Sequence, residues 1–468
     1  MNSVSENRPN IILMVMDATR PDHLSCYGHH RPTTPHIDQI AAEGVLYEQA
    51  ISPAAWTLPS HASLFTGLNV SQHGTHFKHQ YVEPRFATLA EMLRLQGYRT
   101  AGFSQSAWVS ETFGFHRGFE TFRLTKRLLE GMRHLFKRET LLEKGLRFLI
   151  EGYYPMTRRT NGLIRQWLTR QHDEQSPFFF FVLYEDAHLP YRFREPYSSR
   201  YLGERIGQAR RVNQDPHKYM AGKVDMSEDD FEILRALYDV QLSFLDAMVG
   251  EFLDFLRDKG ILDNTLLIIT SDHGENIGDQ GLMAHQYCVY DTLIHVPLII
   301  RYPPLFPAGQ RVYGQVQTSE IFTTIMSILG IEKEDIPNDV RGRSLVPAEV
   351  AANPLPFTIA EYLAPNMRRM LRVWPDGDYS RYDRQLRALR QDDYKYIWSS
   401  DGRNELYNLK LDPKELHNLI DSEPEKAQDL GAQLERWLAS LERSQFEDEL
   451  EPEMEEVLRE RLEGLGYL

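Results

Sequence analysis

Three apolar runs in this chain end in carboxylates and imidazoles. Ile11-Ile12-Leu13-Met14-Val15-Met16 runs into Asp17. Phe178-Phe179-Phe180-Phe181-Val182-Leu183 is followed closely by Asp186-Ala187-His188. Leu266-Leu267-Ile268-Ile269-Thr270 runs into Ser271-Asp272-His273-Gly274-Glu275. Side chains of these types bind divalent metals and move protons.

A hydroxyl joins them. Thr57 sits in Ala55-Trp56-Thr57-Leu58-Pro59-Ser60-His61. A threonine just ahead of a proline reads as a helix N-cap, and a helix N-terminus attracts anions through free N–H groups and its dipole. A hydroxyl there faces the group it would attack, once metal coordination favours the alkoxide. Asp17, Thr57, Asp272 and His273 make a mixed oxygen and nitrogen ligand set. Such a set suits one Mn²⁺ or Zn²⁺ ion more than Ca²⁺ or Mg²⁺.

His188 and His285 are candidates to bind an anion or protonate a leaving oxygen. With Asp186 they could equally complete a second metal site. His61, one turn into the Thr57 helix, is read as pointing at the same anion. Singly, each residue has a plainer role: a cap, a strand-end carboxylate, a glycine-punctuated turn, a hydrogen-bonded histidine. Their joint placement on strand ends favours chemistry.

The elements that position them follow from the pattern. Short continuous apolar runs read as parallel strands buried on both faces. Ligands of open parallel sheets bind outside the carboxyl ends of the strands, so residues far apart in sequence meet at one edge. Thr34 and Pro35 open a helix that Gly44 ends. Val45–Ile51 reads as strand, Thr57 to Gly67 as helix, Phe86–Gln96 as helix and Tyr98–Ser104 as strand. That alternation predicts a parallel α/β sheet. Asp229–Lys259 reads as a long helix leading to the Leu266–Thr270 strand. His295–Ile300 reads as strand and Ser319–Leu329 as helix.

The proline-containing stretch Pro347–Pro356 marks a domain boundary. Beyond it Phe357–Tyr362, Leu371–Val373, Tyr394–Trp398 and Glu405–Asn408 read as short strands, before a helix from about Glu423 to Glu442. The expected fold class is α/β: a large, mostly parallel sheet flanked by helices, with a smaller C-terminal α+β domain. The expected divisions are a catalytic domain over 8–345, the small domain over 346–445 and an acidic tail over 446–468. Residues 121–170 hold twelve Lys/Arg against four Asp/Glu. They read as a basic helical insertion, either with a solvated face or as a cap facing substrate or membrane.

A chain of 468 residues is long enough for one large domain and a smaller one. The net charge of -15 argues against a general nucleic-acid binder. Two cysteines, Cys26 and Cys288, are too few for a disulfide framework and read as reduced. No segment reads as a signal peptide or membrane span, which gives a cytoplasmic address as the expectation. Self-association as a homo-oligomer is left open.

Several motifs together resemble the sulfatase family of the alkaline-phosphatase superfamily. They are Asp17-Ala18-Thr19-Arg20-Pro21-Asp22-His23-Leu24-Ser25-Cys26-Tyr27-Gly28, Arg31–Asp38, the Thr57 segment, Asp186–Tyr191 and Ser271–Glu275. The similarity continues through Glu405–Leu419 to Leu465-Gly466-Tyr467, and is weak at 121–170. The resemblance implies an alkaline-phosphatase-like fold. It also implies departures. Thr57 stands where formylglycine sulfatases carry Cys or Ser, and threonine is not converted to formylglycine. His61 stands at the family's Arg, and Ala18 at its second Asp. One acid with Thr, Asp and His looks like lipoteichoic acid synthase and the lipid A phosphoethanolamine transferases, without their membrane-anchor helices.

The expectation is therefore a metal-dependent hydrolase or transferase of phosphate mono- or diesters, with Thr57 as nucleophile and His61, His188 and His285 around the anion. The rivals are a sulfuric ester hydrolase without formylglycine and a catalytically silent anion binder. The implied partner is an anionic phosphate- or sulfate-ester substrate.

Overall fold

The apolar runs form neighbouring strands. The computed structural model describes residues 8–125, 155–170 and 176–441. Its larger sheet is built from β1 (Asn10–Met16), β2 (Val45–Ile51), β3 (Arg99–Ser104), β4 (Thr121–Leu124), β5 (Phe178–Tyr184) and β6 (Thr265–Thr270). A two-stranded hairpin, β7 (Asn276–Ile277) and β8 (Met283–Ala284), precedes β9 (His295–Arg301), β10 (Gln310–Val312) and β11 (Val316–Gln317). The order is β10-β2-β9-β6-β1-β5-β3-β4, with β11 also paired to β2.

β1 lies between β6 and β5 and runs parallel to both, with Val15 opposite Thr270 and Met16 opposite Tyr184. The backbone N–H of Asp17 donates to the Tyr184 carbonyl at 2.8 Å, carrying the ladder one residue further. Asp17 and the segments that follow Tyr184 and Thr270 thus leave the sheet side by side. Alternation does the rest. Ile11, Leu13 and Val15 face one core with Phe179 and Phe181, while Ile12, Met14 and Met16 face the other with Phe178 and Phe180. Burial on both faces is why these strands read as unbroken apolar runs.

The strands of the alternating first third, β1, β2 and β3, run parallel as expected; β9, read only as a strand, is antiparallel to both β2 and β6. The link from β6 to β9 holds the short β7–β8 hairpin and a four-residue helix, Asp291–Ile294, and no crossover helix of parallel-strand length. A doubly buried strand carries the same apolar pattern in either direction, so its polarity is not written in its residues.

The helix Glu228–Asp258 covers one face, opened by a Ser227–Asp230 capping box. Beside it lies the helix Met156–Arg170. Asn161 Nδ2 donates to the Met248 carbonyl at 2.9 Å, and Trp167 packs edge-on against Phe180. The expectation of a basic helical insertion over 121–170 is corrected at its start, and at its helical end, Met156–Arg170, one face packs into the core. Thr121–Leu124 is the edge strand β4, and Ile164, Trp167 and Leu168 belong to the core. Residues 126–154 lie outside the described residues. The other face is covered by the helix Thr57–Thr66, buried along its whole length, and by Glu320–Ile328.

A second, antiparallel sheet contains β12 (Thr358–Tyr362), β13 (Leu386–Gln391), β14 (Tyr394–Ser399) and β15 (Glu405–Asn408), in that order. The helix Pro424–Ala439 seals one side with Leu430 and Leu434. The other side joins the main core through Ala360, Tyr362 and Leu386. The buried ammonium of Lys395 ties this sheet to Asp291 at 2.7 Å and to Glu415 at 2.6 Å. The expected strand Leu371–Val373 is instead part of a helix, Arg368–Val373, with Leu371 and Val373 exposed. A three-residue apolar run carries no period to distinguish the two. The Pro347–Pro356 stretch holds a short helix, Pro347–Ala352, with Val350 in the main core. The acidic tail over 446–468 lies outside the described residues. Cys26 and Cys288 are both free. Among the described residues no helix is long and apolar enough to cross a membrane.

Candidate active site

The three strand ends meet where the pattern placed them. Asp17, Asp272 and His273 are buried, and one ligand atom from each lies within 4.8 Å of the others. His273 Nε2 stands 3.5 Å from Asp17 Oδ1 and 3.3 Å from Asp272 Oδ2. Its other nitrogen, Nδ1, donates to the Gly274 carbonyl at 2.8 Å. That bond leaves Nε2 as the lone-pair nitrogen, the form that binds metals. Burial first, then the neighbouring His285, pushes the His273 pKa down to about 4, and the ring is neutral.

Asp272 is held by its backbone. Its Oδ1 accepts from the N–H groups of Ala18 at 3.3 Å and His273 at 3.0 Å. Ser52 and Ser60 donate to its carbonyl at 2.5 and 2.7 Å. Ala18 has a φ of 57°, which turns its N–H toward Asp272. The position at which the resemblance expects a second acid thus serves as a backbone donor here.

The fit to a divalent cation rests on what these carboxylates lack. Both oxygens of Asp17 and Oδ2 of Asp272 are buried with no hydrogen-bond partner. Burial, and after it Asp272, Glu185 and Glu275, pushes the Asp17 carboxyl well above its usual range. Buried carboxylates are costly unless paired or bound to a metal. Two carboxylates and a neutral imidazole with its lone pair turned inward fit such an ion.

Thr57 Oγ1 lies 3.2 Å from His273 Nε2 at the edge of this set. Here the expected cap is corrected. Trp56, with extended backbone, is the N-cap, Thr57 is the first helical residue and Pro59 the third. Proline in the first turn is tolerated because its missing N–H would be unpaired there. Thr57 still stands at the N-terminus of a ten-residue helix aimed at the strand ends.

His61 does not reach forward to an anion. Its Nδ1 faces the Thr57 carbonyl at 2.8 Å and Asp272 Oδ2 at 3.5 Å. Its ring sits edge-on among Phe115 and Phe181, fully buried. Placed behind the ligand set, it is a support for Thr57 and Asp272.

His188 and His285 do converge. Their rings meet at 4.7 Å, and the His285 ring stacks on His273 at 4.4 Å. Asp186 does not join them. Its carboxylate bonds the Thr157 hydroxyl and lies 3.7 Å from the Arg194 guanidinium. Among the described residues, Asp186, His188 and His285 form no metal-ligand group. Two residues went unassigned in the sequence reading. Glu275 Oε1 accepts from His285 Nδ1 at 3.1 Å. Arg20, also buried, bonds Asp22 through two nitrogens, Asp279 at 2.7 Å and the Glu275 carbonyl at 3.0 Å. The visible signal for Glu275 was its place at the end of the Ser271–Glu275 motif, two residues beyond His273.

A second cluster, His23, His29 and Asp239, also has metal-like spacing. Its carboxylate is already satisfied by His23 at 2.6 Å, His29 at 3.2 Å and the Arg31 guanidinium at 2.7 Å. A guanidinium on that oxygen supplies the cation, and the cluster is a structural network.

Comparison with known proteins agrees with this geometry. The family model described as Sulfatase matches residues 9–331. The model of the C-terminal part of N-sulphoglucosamine sulphohydrolase matches 278–444. An uncharacterized sulfatase of Escherichia coli K12 is 26% identical over 447 residues, covering 88% of this chain and 83% of that protein. The ulvan-active sulfatase of Formosa agariphila is 25% identical over 451 residues, covering 93% and 82%. Among solved structures, the phosphonate monoester hydrolase of Agrobacterium radiobacter superposes with a TM-score of 0.73 at 22% identity, covering 92% of this chain and 96% of that one. With a family match over most of its length and strand ends that gather acids, imidazoles and a hydroxyl at one edge, this chain belongs to the sulfatase family of ester-bond hydrolases.

Proposed function

We propose that the protein is a metal-dependent hydrolase of phosphate or phosphonate esters that uses Thr57 as its nucleophile. The observation that carries this reading is the Thr57 hydroxyl, 3.2 Å from His273 Nε2, beside buried carboxylate oxygens that have no hydrogen-bond partner. Asp17, Asp272, His273 and Thr57 would hold the ion. When bound, it would favour the Thr57 alkoxide and neutralise charge on the group being transferred.

The chain's own residues supply the rest. The N–H groups of the first helical turn orient the anion in front of Thr57. Thr57 Oγ1 attacks phosphorus, and the ester oxygen departs with a proton from His285 Nε2. The same nitrogen then takes a proton from the water that cleaves the Thr57 ester, so the histidine is acid in one half-reaction and base in the other. His188, packed on His285, contacts the anion's remaining oxygens. His61 and the serines behind Asp272 keep the set in place.

A sulfate ester is the second reading, favoured by the sulfatase names of the relatives. A simple hydroxyl gives a plain sulfate ester on Thr57, with no second hydroxyl on the same carbon to expel it. Phosphorus accepts a second displacement by water, and for that reason phosphorus esters come first. The test is turnover of metal-reconstituted protein on 4-nitrophenyl phosphate, bis(4-nitrophenyl) phosphate, 4-nitrophenyl phenylphosphonate and 4-nitrophenyl sulfate. Sulfate turnover far above all the phosphorus esters would replace the first reading by the second.

A further inference from the structure

We propose that Glu275 is a positioning residue for His285, fixing the ring through Nδ1 so that Nε2 alone is presented to the leaving oxygen. The inference rests on the ester-cleaving reading of the site. It concerns a residue that the catalytic set above leaves without a role.

Glu275 is wholly buried, and its Oε1 accepts from His285 Nδ1 at 3.1 Å. The hairpin of β7 and β8 brings the two together across ten residues of chain. Each side of that hairpin is fixed. Arg20 Nη1 donates to the Glu275 carbonyl at 3.0 Å and to Asp279 Oδ2 at 2.7 Å, tying the hairpin loop to the end of β1. Ala284, just ahead of His285, has a φ of 66°, a left-handed conformation that alanine adopts rarely. That unfavourable backbone is held in a segment that delivers one imidazole to the site. The stack on His273 at 4.4 Å and the contact with His188 at 4.7 Å then fix the plane of the ring.

With Nδ1 bonded to a carboxylate, one nitrogen remains for chemistry. As the bond from phosphorus to the leaving oxygen breaks, the Nε2 proton passes to that oxygen. The imidazole keeps its Nδ1 proton against Glu275. No other group need accept or supply a proton in this half-reaction.

The experiment compares methyl and 4-nitrophenyl esters of whichever acid the wild-type protein turns over best. An alkoxide needs the proton as it leaves, and a nitrophenolate hardly does. Glu275→Leu should lose about 100-fold more in kcat on the methyl ester than on the nitrophenyl ester. Glu275→Gln, which keeps an acceptor, should recover most of that difference, and it carries the test if Glu275→Leu does not fold. The double variant with His285→Ala should be no slower than His285→Ala alone. Equal losses on both esters, or losses that multiply in the double variant, overturn the proposal. A readout independent of turnover is the ¹⁵N spectrum of histidine-labelled protein. At a pH high enough to leave the ring neutral, as it is after giving up its Nε2 proton, His285 should carry its remaining proton on Nδ1 in the wild type and lose that preference in Glu275→Leu. An unchanged tautomer in Glu275→Leu sinks the proposal. Absence of any esterase activity with the expected tautomer change would instead count against the Thr57 reading and uphold the Glu275–His285 link.

Discussion

His273 joins two kinds of structure: its Nδ1 is bonded to the backbone carbonyl of Gly274 at 2.8 Å, and its Nε2 meets the hydroxyl of Thr57 at 3.2 Å. A side chain three residues beyond the end of β6 thereby fixes the lone pair that faces the helix opposite. Thr57 should accordingly matter far more to turnover than to folding. Thr57→Ala is expected to lower kcat by roughly 10⁴-fold or more. Because Trp56 holds the cap position, the variant gives up one hydrogen bond, about 1 kcal/mol of stability. Thr57→Ser keeps the hydroxyl and should retain measurable turnover. Steady-state kinetics and thermal melts check both halves. Full activity in folded Thr57→Ala would remove the covalent mechanism.

Gly274 should prove intolerant of any side chain. A Cβ built on it would sit 2.1 Å from the Thr292 carbonyl oxygen. That carbonyl is main chain and cannot swing aside, so Gly274→Ala must displace the 271–275 segment that carries Asp272, His273 and Glu275. We expect about 1–3 kcal/mol of destabilisation, with a drop in bound metal larger than the loss of folded protein. Circular dichroism and elemental analysis on the same sample separate the two. Wild-type metal content in Gly274→Ala would show that the segment adapts.

The contrast between these positions shows what the residues alone could reveal. β1, β5 and β6 were legible because each is buried on both faces and ends in chemistry. Their register then puts Asp17, Asp272 and His273 together with little further information. What stayed hidden depends on contacts between distant segments. Asp186 follows β5 as expected, but the helix Met156–Arg170 takes its carboxylate through Thr157. His61 is one turn from Thr57 in either reading, and only packing against Phe115 and Phe181 decides that it faces inward. Glu275 and His285 are joined by strands of two residues each, too short to carry a period.

Asp239 makes an acid-side prediction. Burial would raise its carboxyl, but bonds from His23 and His29 outweigh that and hold it well below the usual value of 3.8. Above that value the carboxylate is charged in both folded and unfolded chains, and its stabilising contribution is complete. As pH falls below 3.8 the unfolded chain takes up the proton first, and the contribution is lost progressively toward the lower folded value. Asp239→Asn should therefore flatten the fall in stability between about pH 4 and pH 2. At neutral pH it should cost about 3–5 kcal/mol, since the Arg31 guanidinium and two imidazoles lose their carboxylate. Urea unfolding across that range is the measurement. Parallel curves for the two proteins would contradict the assignment.

Asp17 gives the prediction that most directly separates a metal ligand from a structural carboxylate. Its two oxygens are buried without hydrogen-bond partners, and burial together with Asp272 disfavours its charged form. In metal-free protein this charge is a liability, and an amide of the same shape removes it. Asp17→Asn should hence be more stable than the wild type when both are fully chelated, by about 1 kcal/mol or more. With Mn²⁺ or Zn²⁺ in excess the order should reverse. The wild type gains about 4 kcal/mol at a thousand times its dissociation constant, whereas the variant, lacking one charged ligand, gains much less. A structural carboxylate would behave otherwise, with the variant less stable in both conditions and the metal making no difference. Paired melts in chelator and in metal, with the metal content of each protein, therefore decide the matter: curves that keep the same order in both buffers would dismiss Asp17 as a ligand.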